Sequence, residues 1–280
     1  MSDHGGSFPH PDYARYVLAP GFHHAQALLW EPMMAANEAH TLMLAAQEII
    51  SGDDAAALLR AQRQVQQAGP EAFTYRPEVE DLFFLVEGKL IELAGPDAGG
   101  NLQIARSRND LAAAMCRMMV RQMISKAELA VLRLRETLIG LIGRHIDTLM
   151  PGITHTQPAQ PTTLAHYLLG VLGPLERDSD RLRKAWRRVN QSSLGVAAFT
   201  TTSFPIDRTL TAKLLSALTS GAPIFASPAI GTFFNFPPMC LAANTLETSC
   251  AWMSAIFEAT PSSCLGTKST APHSRACRVS

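Results

Sequence analysis

The sequence predicts an all-α fold, a bundle of long helices that is incomplete at its C-terminal end. Apolar residues recur at helical spacing over long stretches, and no segment alternates apolar and polar residues as a half-buried strand does. No proline interrupts the chain between Leu111 and Met150. A helix of about 40 residues is about 60 Å long, which exceeds the core of a compact monomer. We therefore expect this helix to pack in a bundle.

The first hundred residues are predicted to hold three helices of ordinary length. Residues 1 to about 25 mix Gly, Pro, His and aromatic residues without periodicity, and we interpret them as an extended arm. Helical spacing of the apolar residues predicts helices over residues 25–50, 55–67 and 78–94. Residues 96–100, rich in Gly with a proline at the start, are predicted as a loop.

The central part is predicted to contain two long helices joined by a short connection. Ser107, with Asp110 three residues later, has the spacing of a capping box before the long apolar run. A second long helix is predicted over residues 162–190, and a shorter one over 205–218. The connection, Met150–Gln160, is restricted by prolines. We interpret it as a rigid loop that holds a hydroxyl, an imidazole and two amides in place.

These elements suggest three parts: an N-terminal helical domain over residues 1–105, a central long-helix bundle domain over 106–220 and an atypical tail over 221–280. The tail is unusual because no charged residue occurs between Leu214 and Leu246, whereas four of the five cysteines follow Leu214. We interpret the abrupt change in composition as a truncation or a shifted reading frame after about residue 220. A fast-diverging end of the chain is the alternative.

Composition excludes several classes of function. The formal net charge is zero, so no overall field favours nucleic acid or an anionic membrane as a partner. Five cationic residues lie between residues 181 and 188, and three carboxylates lie just before them in the sequence. We interpret this mixed-charge segment as a solvated helix face. Five cysteines without a C-x-x-C pair argue against a disulfide framework and a zinc knot. We see no secretory leader and no apolar run that spans a bilayer, and expect a cytoplasmic protein.

Three short blocks carry the functional signal. They read R-S-R-N-D at Arg106–Asp110, M-P-G-I-T-H-T-Q at Met150–Gln157 and F-P-I-D-R at Phe204–Arg208. In this order they resemble the argininosuccinate lyase branch of the fumarase/aspartase superfamily, and the likeness runs from about Ala39 to about Leu218. The resemblance implies a β-elimination in which the C–N bond of an N-substituted aspartate breaks and fumarate leaves. It also implies a homotetramer, a small dicarboxylate or N-succinyl substrate, and no metal or other cofactor.

The residue types in the blocks fit that chemistry. A base removes a proton from the β-carbon, and the resulting negative charge moves into a carboxylate that fixed donors must stabilise. Neutral donors, a bidentate guanidinium and an imidazole that can transfer a proton are all present. By the resemblance, the catalytic candidates are His155 and Thr154. The substrate-binding candidates are Ser107, Arg108, Asn109 and Gln157.

The sequence departs from the family pattern in two places. The family segment E-D-[VI]-H reads Glu80-Asp81-Leu82-Phe83, so a phenylalanine occupies the histidine position. The family's Gly-Ser-Ser loop, followed by M-P-Q-K-x-N-P, carries its serine base and a substrate-binding lysine, and neither motif is found in the 280 residues. Two alternatives therefore stay open: a catalytically inactive homologue, and a lyase that acts on a different N-substituted aspartate.

Overall fold

The chain folds mainly into helices, as predicted. The computed structural model describes residues 9–219 and 224–226. Within these residues the α-helices are α1 (Pro11–Tyr13), α2 (Ala19–Leu28), α3 (Trp30–Ala46), α4 (Gly52–Ala68), α5 (Leu82–Ala94), α6 (Pro96–Asn101), α7 (Arg108–Arg144), α8 (Leu164–Val189) and α9 (Arg208–Thr219). A π-helical turn (Ala14–Leu18) joins α1 to α2, and a 3-10 turn (Pro70–Ala72) follows α4.

The prediction of an extended N-terminal arm is wrong for the described residues, because the chain is helical from Pro11 onward. Phe22 of α2 is fully buried, and its ring lies 5.6 Å from the ring of Tyr75. Gln26 donates hydrogen bonds to the carbonyl oxygens of Pro70 and Phe73, at 2.9 and 2.6 Å. These tertiary contacts stabilise a segment whose own sequence has little helical periodicity.

The long helices α7 and α8 form an antiparallel pair. Glu128 of α7 accepts a hydrogen bond from Ser179 of α8, and Arg135 lies 2.9 Å from Glu176. The partner number on α8 falls as the number on α7 rises, which defines the antiparallel direction. With 37 residues, α7 is about 55 Å long. The prediction of a long uninterrupted helix is confirmed.

A β-hairpin joins α7 to α8, so the predictions of a loop over Met150–Gln160 and of a chain without strands are wrong. Strand β1 (Leu149–Thr154) pairs antiparallel with β2 (Gln157–Thr163), and Thr154 faces Gln157 across the turn. The two turn residues, His155 and Thr156, have φ of 50° and 63°. Positive φ at both central residues is the geometry of a two-residue hairpin turn. Neither residue is a glycine or an asparagine, the residue types from which such a turn is usually predicted in a sequence.

The hydrophobic core lies around α3, which is buried on most of its surface against α4, α9 and the first third of α7. Beyond Arg121, Leu138 is the one buried residue of α7. The distal part of α7, most of α8 and the hairpin therefore form an arm that extends from the core. A short parallel pair, β3 (Gln191–Ser192) and β4 (Phe225–Ala226), lies near the end of α8. No helix among the described residues is long and apolar enough to cross a membrane.

Candidate active site

The first block forms the N-terminus of α7. Ser107 is the N-cap, and its hydroxyl accepts a hydrogen bond from the backbone N–H of Asn109 at 3.2 Å. In return, Oδ1 of Asp110 accepts from the backbone N–H of Ser107 at 2.9 Å, which completes the predicted capping box. Ser107 is half-buried, whereas the next two side chains, Arg108 and Asn109, are exposed. The helix therefore begins at the surface with its polar side chains accessible to a ligand.

Asp110 connects this N-terminus to the small-residue loop that follows β3. Its side chain is fully buried, and Oδ2 accepts from the backbone N–H groups of Gly195 and Ala197, each at 2.9 Å. The hydroxyl of Ser193 donates to the carbonyl oxygen of Asp110 at 2.8 Å. Burial raises the pKa of Asp110, while the three N–H donors and nearby Arg106 oppose this rise. The carboxylate thus holds one loop against one helix end.

The third block is held near the head of α7 by its contacts with Gly195, which lies in the loop before it. This residue has a φ of 86°, and an added Cβ would lie 2.7 Å from Cδ1 of Ile206 and 2.8 Å from Cγ of Arg208. Only glycine tolerates both the backbone conformation and the close approach. Arg208 also donates from Nε to the carbonyl oxygen of Leu194 at 3.0 Å. The first and third blocks are therefore brought together around the head of α7.

A buried polar layer supports the first block from the core side. Arg106 donates to Oδ1 of Asn37 at 2.8 Å and to Oε1 of Gln103 at 3.2 Å, and burial lowers its pKa to about 10. His40 lies 2.9 Å from the carbonyl oxygen of Ile104 through Nε2. Burial, together with the positive charge of Arg106, lowers the pKa of His40 to about 3. These two side chains hold the segment before Ser107 in place and face away from solvent.

Arg108 is engaged with two acidic side chains just before the start of α5. Its guanidinium pairs with the carboxylate of Asp81, the N-cap of α5, and lies 3.5 Å from Oε2 of Glu80. The guanidinium also lies over the rings of Phe84 and Phe83. The segment Glu80–Phe83, in which the sequence departs from the family pattern, is thus a direct neighbour of the candidate site.

The second block lies far from the first. Thr154, His155 and Gln157 are exposed around the hairpin turn, beyond the opposite end of α7 from Ser107. Strand β2, with seven residues, spans about 23 Å. Even a hairpin folded fully back would leave a gap of about 30 Å along a helix of about 55 Å. Within one chain, the structure does not bring the two groups of candidate residues together.

Asp110, Gly195 and Asp81 contribute to the site region but were not among its candidate residues. The capping-box spacing identified Asp110 as a helix cap, although not as the acceptor for a loop about 85 residues away. Gly195 carries a sequence signal only as part of a small, polar loop. Asp81 precedes an apolar helical run, which is the position of an N-cap. Its contact with Arg108 is a tertiary feature without a local signal.

Comparison with known proteins identifies the family. A protein-family model described as "Lyase" matches residues 23–231. The argininosuccinate lyase of Natronomonas pharaonis is 46% identical over 191 residues, which are 68% of this chain and 38% of that protein. The argininosuccinate lyase 1 of Shouchella clausii is 41% identical over 183 residues, covering 65% of this chain and 37% of that one. The chain thus spans well under half the length of these curated relatives.

A solved structure supports the same assignment. A variant of EDDS lyase with bound fumarate is 30% identical with a TM-score of 0.59, covering 72% of this chain and 42% of that one. The long helices, the capped N-terminus of α7 and the match to the family model all point to the same family. The chain therefore belongs to the lyase family, as an argininosuccinate lyase-like member of the fumarase/aspartase superfamily.

Proposed function

We propose that this chain carries the dicarboxylate-binding part of a carbon–nitrogen lyase that releases fumarate from an N-substituted aspartate by β-elimination. One observation carries the proposal: Ser107, Arg108 and Asn109 stand at the surface end of a capped helix whose position Asp110 fixes. Unpaired backbone N–H groups at a helix N-terminus favour anions, and the adjacent side chains add neutral and charged donors. Ser107, Arg108 and Asn109 are proposed to bind the succinyl carboxylates.

The proposed reaction needs a base, a proton for the leaving nitrogen and donors around a carboxylate. A base takes the proton from the β-carbon, and the electrons of that C–H bond form the double bond of fumarate. The C–N bond then breaks, and its electron pair leaves with the nitrogen, which takes up a proton. Donors fixed around the carboxylate stabilise the charge that develops before the bond breaks. Thr154 and Gln157 are proposed as further donors, and His155 as a proton carrier or an orienting group.

Argininosuccinate is the proposed substrate, which would place the reaction in arginine biosynthesis in the cytoplasm. The proposal rests on the likeness to curated argininosuccinate lyases. The likeness to EDDS lyase supports another N-substituted aspartate as the alternative. The two substrates share the succinyl group that the head of α7 is proposed to hold, and they differ in the group attached to nitrogen.

A second copy of the chain is proposed to complete the site. Ser107 and His155 lie at opposite ends of a helix of about 55 Å, so one chain cannot offer both groups to one small substrate. An antiparallel neighbour can place its hairpin beside the head of α7. The exposed apolar side chains of the α7–α8 arm provide a surface for that contact. By resemblance, the assembly is proposed to be a homotetramer.

A catalytically inactive homologue is the second candidate. Phe83 occupies the position of the family histidine and cannot exchange a proton, and the motif of the family's serine base does not occur in the sequence. Such a chain keeps the donors that bind the dianion and lacks the group that starts the reaction. It would bind a succinyl compound without turning it over.

A fumarate assay together with a binding measurement separates these candidates. The purified 280-residue chain is incubated with argininosuccinate and, separately, with EDDS, and fumarate is followed by its ultraviolet absorbance. Binding of succinate is measured by calorimetry, with Asn109→Ala as the control. A turnover number of roughly 1–1000 per second supports the lyase. Succinate binding that depends on Asn109 without turnover supports the inactive homologue, and the absence of both contradicts the proposal.

A further inference from the structure

The guanidinium of Arg108 is held at its two terminal nitrogens and on one face. One terminal nitrogen pairs with Oδ2 of Asp81, and the other lies 3.5 Å from Oε2 of Glu80. Below the plane, the ring centroid of Phe84 lies 4.4 Å from the guanidinium carbon. An arginine has five N–H donors in a rigid plane. Two of them are engaged within the described residues, which leaves three for a ligand.

Phe84 is available for this contact because it does not serve the core. Its side chain is 37% exposed, whereas its helical neighbours Leu82 and Val86 are buried to about 1% exposure. The ring of Phe83 is more distant from the guanidinium carbon, at 5.6 Å, and Phe83 packs against the core. The two rings meet edge to face at 5.6 Å. The guanidinium therefore stacks mainly on the ring of Phe84, and the ring of Phe83 packs against the ring of Phe84.

Asp81 links the same guanidinium to the backbone. Its Oδ1 accepts the backbone N–H of Phe84 at 3.1 Å, while its Oδ2 pairs with Arg108. One carboxylate thus caps α5 and fixes the orientation of a side chain at the start of α7. The capping hydrogen bond and the ring both belong to Phe84. The guanidinium of Arg108, the carboxylate of Asp81 and the ring of Phe84 therefore form one geometric unit.

We infer that Phe84 is a positioning residue for Arg108: its ring fixes the plane of the guanidinium so that the three remaining N–H groups can donate to a ligand carboxylate at the head of α7. This inference rests on the proposed function, in which Arg108 binds a carboxylate of the substrate. Stacking limits rotation of the long side chain, so less conformational freedom is lost when the ligand binds. Without the ring, only the exposed ion pairs with Asp81 and Glu80 would hold the guanidinium, and exposed ion pairs are weak restraints.

The test is the reactivity of individual arginines toward phenylglyoxal, read by mass spectrometry of the digested chain. We compare wild type with Phe84→Leu and Phe84→Tyr, and use Leu93→Ala as a matched control on the same helix, since Leu93 is equally exposed at 38%. Arg181, an exposed arginine paired with Asp178 on α8, serves as the internal reference. Thermal melts of all variants establish that each is folded.

The expected result is at least a threefold faster modification of Arg108 in Phe84→Leu, at an unchanged rate for Arg181. Phe84→Tyr and Leu93→Ala should both react as wild type does. Succinate binding measured by calorimetry should weaken on the order of two- to fivefold in Phe84→Leu, the range of an exposed cation–π contact. The same modification rate of Arg108 in Phe84→Leu and wild type would overturn the inference.

The two arms distinguish this inference from the proposed function. If Arg108 reacts faster in Phe84→Leu but wild type binds no succinate, the ring does position the guanidinium and the proposed carboxylate ligand is wrong. If wild type binds succinate through Arg108 and Phe84→Leu changes neither reactivity nor affinity, the proposed function stands and the positioning role is refuted.

Discussion

Oδ2 of Asp110 accepts a hydrogen bond from the backbone N–H of Gly195 at 2.9 Å, across 85 positions of sequence. The same oxygen accepts from Ala197, and the other carboxylate oxygen accepts from Ser107. One buried side chain therefore determines where the small-residue loop that precedes the third block meets the helix of the first block. The position of the exposed donors in the candidate site thus depends on Asp110, which is buried and need not contact a ligand.

Replacement of Asp110 by asparagine should destabilise the fold. The amide keeps one acceptor oxygen and introduces an N–H₂ group that must face one or more backbone donors in a buried place. We expect the free energy of unfolding to fall by about 2–4 kcal/mol, since hydrogen bonds to a buried carboxylate are lost and donors are left unpaired. Urea unfolding measures the change, with exposed Asp147→Asn as the control. Equal stability of the two variants would contradict the role given to Asp110.

The buried imidazole of His40 should make stability depend on pH. Its pKa is about 3 in the folded chain, against an ordinary value of 6.5. The unfolded chain therefore takes up a proton first as the pH falls, so the stabilisation is complete above about pH 6.5 and is lost progressively below it. Between about pH 7 and about pH 5 the free energy of unfolding should fall by about 2 kcal/mol from this residue.

The measurement is urea unfolding of wild type and His40→Gln at several pH values. Glutamine can still donate to the carbonyl oxygen of Ile104, which His40 now contacts, but it does not titrate. Other groups contribute equally to both proteins, so the difference between the two pH curves isolates His40. Arg106 is the charged group that faces the imidazole. Parallel curves for the two proteins would show that His40 takes up a proton in the folded state as readily as in the unfolded state.

Two neighbours at the head of α7 should separate stability from binding. Ser107 caps the helix, so Ser107→Ala should lower the free energy of unfolding by about 1 kcal/mol. Asn109 is exposed, so Asn109→Ala should leave the melting temperature unchanged. If Asn109 donates to a carboxylate of the substrate, its removal should weaken succinate binding on the order of tenfold, or about 1.4 kcal/mol. Calorimetry and melts on both variants check this; a reversed pattern would exchange their roles.

Helices with a clear apolar period were predictable from sequence, and elements stabilised by tertiary contacts were not. The capping box at Ser107 located the start of α7 within about one residue, because capping is a local interaction. Helix α6, predicted as a loop, shows the limit. A Cβ on Gly99 would lie 2.5 Å from Cα of Ile91, so the glycine permits close packing between α5 and α6. That use of glycine depends on a neighbour the local pattern does not reveal.

The residues of the candidate site were predictable as short blocks, while their arrangement was not. Asp110 and Gly195 meet through a buried hydrogen bond that leaves no periodic signal in either segment. The distance between Ser107 and His155 follows directly from the length of the helix between them. The hairpin could not be predicted because its turn residues, His155 and Thr156, adopt positive φ without a glycine or asparagine. The three-part division of the chain stays a prediction, and residues 227–280 lie outside the described residues.

The arm formed by α7 and α8 should mediate self-association. Large apolar side chains on α7 remain exposed in the single chain, including Leu129 at 49%, Leu132 at 43% and Ile139 at 54%. A row of apolar side chains along a helix is typical of a surface covered by another helix. We expect a homo-oligomer, by resemblance a tetramer, in sedimentation experiments at micromolar concentration. A well-folded monomer would contradict the prediction.

Charge placed on the arm tests the surface directly. Leu132→Glu and Ile139→Glu cost little in a monomer, because both side chains already face solvent, but they bury a carboxylate if another chain covers them. Both variants should dissociate while their helical content remains. Leu93→Glu, at an exposed apolar position of α5 outside the arm, should sediment as wild type does. If the candidate site needs the hairpin of a second copy, the dissociated variants should also bind succinate more weakly than Leu93→Glu. Unchanged sedimentation in both arm variants would mean that this face stays exposed to solvent.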